Sequence, residues 1–198
     1  STNVFSPGRA GSEKDVRESL LKIISTQKKR VLVTSFASNV ARMESIFYIA
    51  KQTKRNISLV GRSMNRIYKA AKQCGYLKDV VNPVDPRDAN KISKERIIFL
   101  CTGSQGEPMG ALNRIAHDIH PDVNIESGDT VIFSSKIIPG NEKKLYSLHN
   151  DIVRKEAELI TEETDFVHVS GHPNREDLKD MYNWVKPESI IPVHGEHR

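Results

Sequence analysis

No apolar run in this 198-residue sequence approaches the roughly 20 residues that span a bilayer. Residues 1–8 hold neither a basic stretch nor an apolar one, so no secretory leader is expected in them. They also lack an initiator Met, so the natural start is expected elsewhere. Cysteine is scarce. Cys74 and Cys101 are the two present, each in an apolar segment and neither in a C-x-x-C pair, which predicts reduced, buried thiols in a cytoplasmic protein. No internal repeat or low-complexity tract occurs, which excludes solenoids and arrays. No Gly-Lys-Ser/Thr ending and no dinucleotide fingerprint occur either. What remains is 37% apolar residues, enough for a core, and a net charge of +5. That excess suits a nucleic-acid partner and equally an ordinary solvated surface.

The signals present are alternating strands and helices. Ser12 with Asp15 makes a capping box. Val16, Leu20, Leu21, Ile23 and Ile24 follow at helical spacing, and the cations of 27–30 suit the helix end. Residues 31–36 are β-branched and apolar, a buried strand. Ser38 or Asn39 caps a helix that carries Val40, Met43, Ile46, Phe47 and Ala50 on one face. Residues 57–60 form a strand that ends at Gly61, and a helix runs from Ser63 to about Gly75. Residues 78–96, with Pro83 and Pro86, read as a loop with one short turn. Further strands are expected at 97–101, 130–133 and 159–161, with helices at 109–117 and 141–156. The apolar residues before His168 and His194 look like two more short strands. This alternation predicts an α/β fold: a mostly parallel, Rossmann-like sheet flanked by helices.

Ligands of such sheets bind at the carboxyl ends of the strands. Here those ends are 35–39, 61–63, 102–106, 134–136 and 170–172, all small, polar, glycine-rich or basic. Ser and Gly at strand-to-helix turns leave backbone N–H groups for an anion, and small residues let a phosphate approach. Residues 102–106 (Thr-Gly-Ser-Gln-Gly) are the best candidate, although glycines there also simply close tight turns. Arg62 and Lys136 would add charge. Phe36 either stacks on a base or belongs to the core. Glu107 before Pro108 reads as a helix-dipole partner.

Four of the seven histidines lie in the last 33 residues. His168 and His172 flank a Val-Ser-Gly turn, where an imidazole can donate to a phosphate or act as a general acid. His194 precedes Gly195 at an expected strand end, a good place for a metal ligand. His117 and His120 read as polar groups at a helix end, His149 as surface, and His197 has no assignment.

These residues resemble the ribonuclease J family, in the β-CASP branch of the metallo-β-lactamase superfamily. The matching stretches are Ser1-Thr2-Asn3 with Pro7-Gly8 and Ser12-Glu13, then 35–39 (Ser-Phe-Ala-Ser-Asn), 61–64 (Gly-Arg-Ser-Met), 102–108 (Thr-Gly-Ser-Gln-Gly-Glu-Pro), 138–142 (Ile-Pro-Gly-Asn-Glu), 168–172 (His-Val-Ser-Gly-His) and 192–196 (Pro-Val-His-Gly-Glu). They run in family order along nearly the whole chain.

The resemblance implies a processing or degradative ribonuclease with two zinc ions and both 5′-to-3′ exonuclease and endonuclease activity. A β-CASP domain would clamp RNA over the metals. It implies that His172 stands near the scissile phosphate as the catalytic histidine, that His194 is a zinc ligand, and that His168, Ser170 and Gly171 hold a nucleotide phosphate. Ser35, Asn39, Arg62, Gly103, Ser104 and Gln105 are the expected RNA- and phosphate-binding residues. The family's His-x-His-x-Asp-His motif does not occur in this sequence. The expectation is therefore an excised piece: 1–160 the β-CASP domain, and 161–198 the chain's return into an incomplete metallo-β-lactamase domain. That piece would be inactive alone. Its expected partner is single-stranded RNA, favouring a 5′-monophosphate end. The intact protein would be homo-oligomeric through a domain absent here. The competing readings are a non-enzymatic nucleotide- or phosphate-binding module of Rossmann-like build, and a β-CASP hydrolase acting on DNA or another phosphodiester.

Overall fold

Ser12 fixes where the first helix begins. Its hydroxyl accepts the N–H of Asp15 at 3.1 Å, and the Asp15 carboxylate accepts the N–H of Ser12 at 2.9 Å, closing the reciprocal cap the sequence predicts. The computed structural model describes residues 3–191. In it α1 spans Glu13–Thr26. The chain continues through β1 (Val31–Thr34), α2 (Val40–Gln52), β2 (Asn56–Val60) and α3 (Arg62–Gln73). After these come a one-turn helix α4 (Pro86–Ala89), β3 (Ile97–Cys101), α5 (Ala111–Ala116), β4 (Thr130–Phe133), α6 (Glu142–Arg154), β5 (Glu158–Ile160) and α7 (Arg175–Val185).

The five strands are all parallel, in the order β2-β3-β1-β4-β5. Central β1 is buried throughout, and its alternate side chains feed opposite faces. Val31 and Val33 meet Leu20, Ile24, Met43, Ile46, Phe47 and Met64, so α1, α2 and α3 cover one face. Leu32 meets Leu112, Ile115, Leu145, Leu148 and Ile152, so α5 and α6 cover the other. The connection leaving β1 runs toward β2, while the one leaving β4 runs toward β5. The switch point of the sheet, where a crevice opens at the carboxyl ends, therefore lies between β1 and β4.

The chain forms two compact units, Ser12–Val169 and Ser1–Gly11 with Ser170–Arg198. In the second, the Asp177 carboxylate accepts the N–H groups of Asn174 and Ala10, each at 2.9 Å. Arg9 pairs with Asp180 at 2.9 Å, and the backbone of Arg175 and Glu176 bonds to Ser6 and Gly8. These bonds fasten the N-terminal segment to the start of α7. No helix among the described residues is long and apolar enough to cross a membrane.

Several local expectations change. Lys28, Lys29 and Arg30 lie beyond α1, and Arg30 is buried. Its guanidinium grips the fully buried carboxylate of Asp129 through Nε (3.1 and 3.0 Å) and Nη2 (2.6 Å). Cys74 is exposed and only Cys101 is buried; both are free. Burial pushes the Cys101 thiol up to about 12, which makes it unreactive. Residues 165–169 form no strand. The carbonyl of Val167 is taken instead by side-chain donors, Arg42 Nη1 at 3.0 Å and Ser134 Oγ at 2.8 Å, so no ladder partner is needed.

Removing one partner of a buried ion pair leaves the other charge uncompensated. Asp129→Ala is expected to lower unfolding free energy by about 3–5 kcal/mol, measured by urea denaturation of the 198-residue chain. A loss under about 1 kcal/mol, the range of exposed pairs, would contradict the bracing role.

Candidate phosphate and nucleic-acid interface

The carboxyl ends of β1, β3 and β4 are stitched side by side. Ser35 N donates to Cys101 O at 3.4 Å, and Ser134 N donates to Thr34 O at 2.9 Å. Ser35, Ser104, Ser134 and Ser135 are all buried, so the strand ends here carry small hydroxyl side chains. The loop after β3 turns at Gly103, whose φ is +110°. A Cβ there would stand 3.2 Å from both Cβ and N of Leu112. Glycine is required for the loop to lie on α5.

Gln105 braces this loop. Its Oε1 accepts from Ile138 N at 2.9 Å and Asn141 Nδ2 at 3.3 Å, and its Nε2 donates to Lys136 O at 2.9 Å. The side chain is thus spent tying the β3 loop to the β4 loop. Glu107 accepts the N–H of Gln105 at 2.9 Å, so it serves the loop rather than a helix dipole. Asn39 caps α2 through Arg42 N at 3.0 Å. Phe36 stays partly exposed and outside both core clusters. Lys136 is exposed.

One residue of this region had no place in the sequence reading. Arg42 is fully buried. Its Nε and Nη2 donate to the two oxygens of Glu13, at 2.7 and 3.0 Å. Its Nη1 donates to Ser134 O and Val167 O, each at 3.0 Å, and to the Ser134 hydroxyl. The available signal was a cation on the apolar stripe of α2, in line with Ile46 and Ile49.

His168 follows directly. It is half-buried, with Nδ1 enclosed and without a partner. Its pKa is pushed down to about 4, first by burial, then by the Arg42 charge. The ring is therefore neutral near pH 7 and offers a ligand a hydrogen bond rather than a charge. Ser170, Gly171 and His172 belong to the other compact unit. There Ser170 Oγ accepts the N–H of His172 at 3.1 Å and Asn3 Nδ2 donates to His172 O at 3.2 Å. The His172 ring is exposed. Arg62 is exposed at the first position of α3. His194 and His197 lie outside the described residues.

The remaining histidines are structural. His117 Nδ1 donates to Asn113 O at 2.7 Å, and its Nε2 lies 3.3 Å from Asp151. His120 Nδ1 accepts the N–H groups of Asp122 and Val123. His149 is not a surface residue as expected: it packs edge-on against Phe133, and its Nε2 is buried without a partner. Among the described residues, no three His, Cys, Asp or Glu side chains come together to hold a metal. No chemical step through a metal follows from this geometry.

A family model described as "Ribonuclease J, beta-CASP domain" matches residues 28–152. The chain belongs to the ribonuclease J family. A second model, "Zn-dependent metallo-hydrolase RNA specificity domain", matches residues 157–198. Both are parts of the metallo-β-lactamase superfamily. The ribonuclease J of Sinorhizobium meliloti is 41% identical over 99% of this chain and 35% of its own length. That of Mycolicibacterium smegmatis is 40% identical over the whole chain and 36% of its own length. Ribonuclease J2 of Bacillus subtilis is 36% identical over the same shares. The chain thus spans about a third of the length of the curated relatives it matches.

The His168 environment carries a pH signature. The unfolded chain takes up a proton as pH falls through the ordinary 6.5, while the folded ring stays neutral down to about 4. Stability is therefore retained above 6.5 and lost progressively between 6.5 and 4. His120 and His149, also pushed down by burial, add losses of the same sign. Thermal melts across this window should fall less steeply for His168→Gln than for the parent chain. Equal slopes would contradict the buried, neutral assignment.

Proposed function

We propose that this chain is the RNA-binding part of a ribonuclease, and that the crevice between β1 and β4 holds a phosphate of a single-stranded RNA. The observation that carries the reading is a set of small-residue strand ends beside a neutral His168 ring that feels the charge of the buried Arg42 guanidinium. A phosphate in a partly desolvated pocket needs donors more than bulk. Ser35, Gly103, Ser104 and His168 would supply them. Asn39 and Gln105 would act by fixing α2 and the β3 loop. Arg62 would contact the backbone farther along the strand. Ser170 and Gly171, in the other compact unit, would hold a nucleotide phosphate there.

The intact protein on this reading is a cytoplasmic, zinc-dependent hydrolase of phosphodiester bonds, acting as 5′-to-3′ exonuclease and endonuclease. Residues 1–160 are its β-CASP domain, and 161–198 return to its metallo-β-lactamase domain. His172 would serve at the scissile phosphate and His194 as one ligand of a two-zinc centre. The other ligands would come from sequence outside this chain. Two zinc ions, when bound, would activate water and neutralise phosphate charge. This chain's residues bind and orient the strand. Assembly into a homo-oligomer would use a further domain.

The 198-residue chain is expected to bind single-stranded RNA weakly, with affinity falling as salt rises, at a slope of about −0.7 per phosphate contact. A 5′-monophosphate should bind more tightly than a 5′-hydroxyl, and His168→Ala should erase that preference. Fluorescence anisotropy over a salt series reads both. Binding no tighter than to a neutral polymer at low salt would contradict the reading. In the intact enzyme, His194→Ala should lower both bound zinc and ribonuclease rate. Unchanged zinc content, read by elemental analysis, would overturn the ligand assignment.

A further inference from the structure

An open cleft of about 1090 Å³ lies beside the β1–β4 crevice, at the carboxyl ends of β2 and β3. Its walls are α3 and the start of α5. Arg62, Arg66 and Lys69 point along one face of α3, at i, i+4 and i+7. All three are exposed and none makes an ion pair or hydrogen bond among the described residues. Arg114 lines the opposite wall. It donates to a carbonyl, Ile119 O, at 3.4 Å. The acids in the cleft are Asp85 and Asp122, and Asp85 is already engaged by Arg87.

The placement of Arg62 is unfavourable for the fold alone. Helix N-termini favour anions, yet the first turn of α3 holds no acidic residue and begins with Arg62. Gly61 supplies no side-chain cap. Nor is a capped residue tolerated there: a Cβ on Gly61 would lie 2.4 Å from Thr102 Oγ1. Gly61, Arg62 and Ser63, at the uncapped start of α3, line the cleft with cations around them. An external anion satisfies both.

We infer that this cleft is a second nucleic-acid site, a track for the sugar–phosphate backbone of single-stranded RNA beyond the phosphate held at the β1–β4 crevice. The inference rests on the RNA-binding reading above and extends it. Thr102 lines the cleft and opens the 102–106 loop of the crevice, so the two adjoin at that loop. From residue 62 to residue 69 the helix rises about 10 Å, a length that matches successive phosphates rather than one. Four cations without paired carboxylates bind by charge, so the track reads no base sequence.

The test compares a long single-stranded RNA with a 5′-phosphorylated dinucleotide, both by fluorescence anisotropy over a salt series. Arg66→Ala/Lys69→Ala/Arg114→Ala should weaken the long RNA about tenfold or more and reduce its salt slope by about 2. Dinucleotide affinity should stay unchanged. His168→Ala should instead weaken the dinucleotide. If the triple variant melts early, Arg66→Glu/Lys69→Glu, confined to exposed side chains, gives the same reading. An unchanged long-RNA affinity and slope in either variant would overturn the track while leaving the crevice reading intact. Absence of RNA binding by the parent chain at low salt would overturn both.

Discussion

A buried guanidinium organises the functional end of this molecule. Arg42 carries its charge into the interior, where desolvation is costly unless every donor is matched. Glu13 supplies the counter-charge, and Ser134 and Val167 supply the remaining acceptors. Those partners come from three separate places: the first turn of α1, the end of β4, and the segment leaving the sheet. The Ser12 cap helps set the position of Glu13, and the Asn39 cap sets that of Arg42. Local capping thus feeds a long-range junction. A buried charge network of this kind contributes little net stability by itself. Its effect is to make one arrangement of the three segments much better satisfied than any other.

The junction also decides the chemistry beside it. Val167 is pinned and fully buried, so His168 emerges half-buried next to a cation and remains neutral. The strand ends around it bear serines and glycine for local reasons: a Cβ on Gly103 would press on Leu112, and the Ser134 hydroxyl serves Arg42 and Val167. The opposite balance holds in the cleft along α3, where long cations stand in water without partners. The first environment suits a phosphate held by hydrogen bonds. The second suits a backbone held by charge.

Much of the architecture is legible in the sequence because it depends on short-range physics. The Ser12 cap, the apolar runs of β1 to β4 and the Gly-rich turn after β3 announce themselves by composition and spacing. The family resemblance is carried by those same turns. What sequence cannot display is long-range pairing. Arg30 reads as a helix-ending cation until Asp129, far along the chain, is seen to neutralise it. Arg42 reads as an oddity on an apolar face. The apolar residues before His168 read as a short strand, yet the Val167 carbonyl is claimed by the side chains of Arg42 and Ser134. Gln105 reads as a ligand by its position in a polar loop, while its amide is occupied with backbone. His149 reads as surface because its neighbours in sequence are charged, and only the fold brings Phe133 against it.

The central claim is that RNA phosphate is received at the carboxyl ends of β1, β3 and β4. Backbone amide chemical shifts of the isotope-labelled 198-residue chain, followed during titration with a 5′-phosphorylated single-stranded RNA, test it most directly. The account predicts the largest shifts at residues 35–39, 103–106, 134–136 and 168–169, with the amino ends of the same strands unmoved. Shifts confined to the amino ends, or to surfaces remote from the sheet's switch point, would contradict it.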